Sequence, residues 1–171
     1  MQKTAVSWVV YSLTHSEFML GVTLFASLFP SFLLSFIGGV VSDRYNKFRL
    51  LLTTQAASMI QAVLLTALVF WGHYVVWEII ALSAILGIIN AFDVPARQSL
   101  VYDMVNDKAD LPNALALNSS MVNLSRLIGP GIAGLMLEKF GDTVCFGINA
   151  LSFIAVIGSL LMMKLDRKSV V

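Results

Sequence analysis

The sequence predicts an all-α integral membrane protein, a bundle of six helices with the first incomplete, and three observations carry that prediction. Hydrophobic residues make up 58% of the 171-residue chain and charged residues 12%, where an average soluble domain carries roughly 25% charge. Mean hydropathy is +0.84. The apolar residues gather into runs of about 20, enough to cross ~30 Å of hydrocarbon at ~1.5 Å per residue. Short turns between the runs hold most of the charge.

The same composition excludes other classes. A net charge of +1 with no basic cluster outside the turns leaves no nucleic-acid partner. The single cysteine, Cys145, permits no internal disulfide. His15 and His73 fall in turns with no cysteine or carboxylate cluster at ligand spacing, so neither a metal nor a cofactor is expected. No H-E-x-x-H, G-x-S-x-G or G-x-x-x-x-G-K-S/T string occurs, so no enzyme is expected.

In chain order, residues 1–13 are apolar but too short to cross a membrane alone, and read as the second half of a helix. A signal peptide is the rival reading; no small-residue cleavage site comes after it. The polar turn Thr14 to Glu17 opens span two, 18–41, where Pro30 and the pair Gly38 and Gly39 are tolerable among neighbouring helices. Span three, 50–71, ends at a loop carrying His73 and Tyr74, with Trp71 and Trp77 as interfacial anchors. Span four, 77–97, gathers Asn90, Asp93, Pro95 and Arg97 near its end. Pro95 is expected to kink or stop that helix and Asp93 to cap the next segment, with residues 98–108 running along the surface. Span five, 114–137, is the most polar, with Ser119, Asn123 and Arg126 ahead of Gly129, Pro130, Gly131 and Gly134. Span six, 143–163, is apolar apart from Asn149, and residues 166–171 begin a further loop.

Charge gives the orientation. Arg44, Lys47, Arg49, Arg97, Lys108, Lys164, Arg167 and Lys168 fall on one face if the turns alternate, against Lys139 on the other. Lysine and arginine collect on the cytoplasmic side, so the Asp43 loop and the C-terminus are expected there. A pattern of glycine, acid, base, aromatic and turn residue also recurs, first as Gly39, Asp43, Arg44, Tyr45, Asn46 and then as Gly134, Glu138, Lys139, Phe140, Gly141. The two copies fall on opposite faces, as an inverted repeat of three helices plus three requires.

The loop joining spans two and three carries Gly39, Asp43, Arg44, Asn46, Lys47 and Arg49. This order resembles G-x-x-x-D-R-x-G-R-K/R, the loop signature of the major facilitator superfamily. Asn46 stands where the family has glycine, a mild departure because asparagine tolerates positive φ, and Phe48 replaces a basic residue. Arg126, Gly129, Pro130 and Gly134 resemble the Gly-Pro signature of its exporters, with Ala133 and Gly134 in place of the paired terminal glycines. The run from Asn90 to Leu115 looks most like the branch that includes the enterobactin exporter and transmembrane secretion effectors.

The resemblance implies the N-terminal half of a major facilitator fold, whose second six-helix half is absent from this chain, in the inner membrane of a bacterium. It implies secondary active export of a small molecule, a drug, siderophore or metabolite, coupled to H+ by alternating access. It also implies a conformational latch of Gly39, Asp43, Arg44, Lys47, Arg49 and Arg97, with Gly39 allowing close helix packing and Asp43 expected to pair with nearby basic residues, Arg97 a candidate, and with the other bundle in the full protein.

Arg126 lies about 12 residues into its span, ~18 Å along the helix. It shares a face with Asn123 and Ser119, which is expected to line a substrate cavity, with Asp93 as the acid available for coupling. A structural arginine held by carbonyls freed at Pro130 is the alternative. Gly129, Gly131 and Gly134 are expected where backbones approach closely, and Pro130 where the helix bends. A non-transporting scaffold or inactive fragment is the competing function; an ionisable Arg126 inside a span argues against it.

Overall fold

The computed structural model describes residues 2–72, 75–105, 107 and 109–162, and all of its regular structure there is helical. His73, Tyr74, Lys108, Lys164, Arg167, Lys168 and the loop 166–171 lie outside the described residues. The helices are α1 Gln2–Thr14, α2 Glu17–Arg44, α3 Lys47–Trp71, α4 Val76–Met104 and α5 Leu111–Met162. Four of them, α2 to α5, are long and apolar enough to cross a membrane.

Five helices stand where six are expected, because spans five and six run together. Their junction is Gly141, whose φ of 78° and ψ of 175° break the helical path of α5 into arms 111–140 and 142–162. Glycine alone takes that conformation without steric cost, so the break falls at the turn position of the second repeat copy.

Local chemistry sets the other boundaries. The turn from α1 into α2 is tight, with His15 at a φ of 46°. Glu17 in the first turn of α2 and Arg44 in its last both complement the helix dipole. Asn46 caps α3, its side-chain oxygen accepting from the Arg49 amide at 3.0 Å. Its φ is −61°, so asparagine replaces the family's glycine as an N-cap rather than as a positive-φ residue. Gly72, at a φ of 68°, closes α3 with a left-handed cap.

Pro95 neither stops α4 nor sends the residues after it along the surface. The helix continues through it to Met104, the lost N–H leaving the Ala91 carbonyl free. A Cβ added at Gly38 would overlap that same Ala91 carbonyl, and one at Gly87 would overlap the Ser27 carbonyl. Glycine at these two positions lets α2 and α4 touch backbone to backbone, and the two helices run in the same direction. Ser42, one turn past Gly38, is buried with its hydroxyl unpartnered among the described residues.

α3 runs antiparallel to α4, as shown by Gln61 bonding to Leu82, Gln55 to Asp93 and Lys47 to Asp103. One core, beside α1, joins Ala5, Val9, Leu65, Ile79, Ala133 and Phe146; a second, at the far end, joins Leu51, Leu100 and Leu160.

Candidate functional site

Asp93 is the best-connected acid among the described residues. It is 8% exposed and faces α3, where Gln55 Nε2 donates to its Oδ1 at 2.7 Å. Thr54 Oγ1 lies 2.8 Å from the same oxygen and 2.9 Å from the Leu51 carbonyl. Arg97, one turn on, donates to Oδ2 at 3.2 Å. Both carboxylate oxygens are therefore occupied, one by donors from α3 and the other by Arg97. The expectations that Asp93 caps a segment and that it lines a cavity both give way to this contact between α3 and α4.

The latch residues separate. Arg97 pairs with Asp93 and not with Asp43, because it lies one helical turn from Asp93 on the same face. Lys47 pairs with Asp103 at 2.8 Å, tying the start of α3 to the end of α4. Sequence reasoning misses Asp103, since nothing local marks it. Asp43 is exposed and has no hydrogen bond or ion pair among the described residues. A Cβ added at Gly39 meets nothing within 4 Å; the residue that admits a neighbouring backbone is Gly38. Arg44, Asn46 and Arg49 border an open cleft of about 510 Å³ at this end.

The first arm of α5 stands apart. Ser119, Asn123 and Arg126 are exposed and have no hydrogen bond or ion pair among the described residues. The serines beside them bond back to their own helix, Ser120 to Ala116 and Ser125 to Met121. Residues 116–128 of this arm include no buried side chain. Cβ atoms at Gly131 and Gly134 would meet nothing within 4 Å, so within the described residues they are not sites of close backbone approach. Gly134 instead borders an apolar cleft of about 650 Å³ with Trp8, Tyr11, Leu20 and Leu137. Pro130 sits inside the arm with helical dihedrals; the non-helical residue is Gly141.

Sequence reasoning also misses a buried amide network. Gln2 Nε2 donates to Gln61 Oε1 at 2.8 Å, Gln61 Nε2 to the Leu82 carbonyl at 3.2 Å, and Asn149 Nδ2 to Gln2 Oε1 at 2.9 Å. It joins α1, α3, α4 and the second arm of α5. Asn149, alone in an otherwise apolar span, is the available signal, because an amide in hydrocarbon needs a partner. Beside the network lies a narrow cavity between α1, α2 and α4, bordered by Lys3, Ser7 and Asn90. Among the described residues no three His, Cys, Asp or Glu side chains form a metal-binding group.

Compared with known proteins, the chain matches the transmembrane secretion effector family over residues 1–170. It is 33% identical over 154 residues to a staphyloferrin A transporter of Staphylococcus aureus, covering 89% of this chain and 38% of that protein. It is 25% identical over 169 residues to the multidrug efflux pump Tap of Mycolicibacterium fortuitum, covering 95% of this chain and 41% of the pump. The chain thus spans about two fifths of the length of these relatives. No solved structure matches it significantly.

Proposed function

The chain belongs to the transmembrane secretion effector family of the major facilitator superfamily, and from that membership we propose that it forms the N-terminal half of a secondary active exporter. The transported species is a small molecule, exchanged for H+ by alternating access across a bacterial inner membrane, with the Asp43 loop cytoplasmic. Relatives named for a siderophore and for drugs make those the first substrates to test.

One observation carries the reading. Polar and charged side chains at mid-span, Ser119, Asn123 and Arg126, lie on an arm with no buried residue around them. Ionisable groups at that depth face protein or water, so this face lines a cavity completed by a second helical bundle. The exposed Asp43 and the open backbone at Gly39 fit the same interface, with Asp43 meeting a cation of that bundle in one state of the cycle.

The test is flux in inverted membrane vesicles from cells expressing the complete reading frame that carries this chain. Addition of a transported drug or siderophore should dissipate a preformed proton gradient, and Arg126→Ala should abolish that response at normal expression. Full transport by Arg126→Ala removes the cavity assignment. No response to any substrate removes the exporter reading.

A further inference from the structure

Lys3 of α1 is exposed and lies level with the middles of α2 and α4, whose Ser27 and Asn90 border the same cavity. It lies about 11 residues from Thr14, so ~16 Å from that end of the helix at ~1.5 Å per residue, near the middle of ~30 Å of hydrocarbon. It makes no hydrogen bond or ion pair among the described residues. An ammonium at that depth is costly unless water or a counter-charge meets it.

The structure puts Lys3 at the edge of an interhelical cavity. Ser7 of α1, Leu24 and Ser27 of α2, and Leu86 and Asn90 of α4 share its lining, and no Asp or Glu is among the lining residues. The space is small, about 20 Å³, room for one compact polar group where a water takes ~10–15 Å³ by the same measure.

Each unpaired group can donate a hydrogen bond. Like Lys3, Ser7 and Asn90 make no hydrogen bond among the described residues, so an ammonium, a hydroxyl and an amide remain available from two helices. The wall behind them is fixed. Gln2, 8% exposed, is bonded at its nitrogen to Gln61 and at its oxygen to Asn149, which locks the depth and rotation of α1 next to Lys3. The contact of Gly87 with the Ser27 carbonyl likewise holds α2 and α4 together beside the cavity.

We propose that Lys3, Ser7 and Asn90 form a subsite that takes one carboxylate, or a comparably compact anionic group, of the transported molecule. The inference rests on the exporter reading and names the class of substrate it carries. A carboxylate accepts hydrogen bonds without donating any, which suits the Lys3 ammonium, a donor only, while the Ser7 hydroxyl and the Asn90 amide can each turn a donor toward it and no acid is present; charge-assisted bonds are the stronger kind in a site between packed helices.

Calorimetry on the complete protein that carries this chain, in lipid nanodiscs, tests it, with citrate as the anionic probe and the uncharged tricarboxamide of citrate as its control. Citrate should bind at least about tenfold tighter than the amide, and Lys3→Gln should lose about tenfold in citrate affinity while Lys3→Arg stays within about threefold. Circular dichroism checks that each variant keeps its helicity. Failure of the unmodified protein to bind citrate overturns the proposal, as does equal affinity for the amide, which needs no variant to fold. Unchanged binding by Lys3→Gln overturns it too, with binding at probe concentration only as the remaining account. Binding and flux separate the two readings: citrate binding without any flux sinks the exporter and leaves the subsite, whereas flux without citrate binding does the reverse.

Discussion

α4 and the first arm of α5 are built from the same kinds of residue and meet opposite fates. α4 carries Gly87, Asn90, Asp93, Pro95 and Arg97; the α5 arm carries Asn123, Arg126, Pro130, Gly131 and Gly134. In its most apolar stretch α4 is 44% buried, whereas Ala133 is the one buried residue of the arm 111–140. The glycine of α4 admits a backbone, the proline frees a carbonyl that α2 covers, and the acid takes donors from α3. On the α5 arm the corresponding groups meet nothing in the described chain. Polar residues, glycine and proline within an apolar span therefore announce that a helix needs partners, without saying which partners it gets.

Substitutions to the same residue on the two sides of this contrast sharpen it. The largest effect is expected at Gly38, where leucine would have to displace the Ala91 backbone. Overpacking costs about 1–3 kcal/mol where side chains can shift, and more where backbone must, so Gly38→Leu should lose most folded protein in a denaturant titration in mixed micelles. A near-normal midpoint for Gly38→Leu would break the claim that α2 and α4 touch through their backbones.

Asp93→Ala comes next. It leaves Gln55 buried and without its acceptor, and removes the partner of Arg97, which is 47% exposed and regains water. The cost should be about 2 kcal/mol, read from the same titration, with Asp93→Asn costing less because one oxygen acceptor remains. Asp93→Ala as stable as the parent chain would show that the α3–α4 contact rests on apolar packing alone.

The smallest effect belongs to Gly134→Leu. Its Cβ meets nothing within 4 Å, so the 171-residue chain should lose less than about 0.5 kcal/mol, the range of ordinary surface changes. If the α5 arm packs against a second bundle, the same substitution in the complete reading frame should lower flux. A large loss of stability in the 171-residue chain would erase the difference between the two regions.

Much of the fold is legible in the chain itself. The apolar lengths of α2, α3 and α4 and the sharp turn at Gly141 come from apolar run length and from a residue acting within one turn of itself, whereas Asn46, read as standing in for a positive-φ glycine, caps α3 instead. Where local rules mislead, they do so in a common form. They assign Asp93 a capping and cavity role, pair Arg97 with Asp43, and favour Gly39 over Gly38. Each error is a rotation of about 100° or a single helical turn, which is the step between adjacent residues or between faces of a helix.

The sequence alone determined that this is a helical membrane protein and which family it belongs to, because hydropathy and a loop signature are local properties. Only the tertiary structure decided that Gly38 and not Gly39 bears the α2–α4 contact, that Asp93 faces Thr54 and Gln55, and that Gln2, Gln61 and Asn149 meet. Those choices depend on how each helix is rotated about its axis. In a chain where nearly every face is apolar, hydropathy does not fix that rotation, so it falls to close backbone packing and to the few buried polar groups that must find one another.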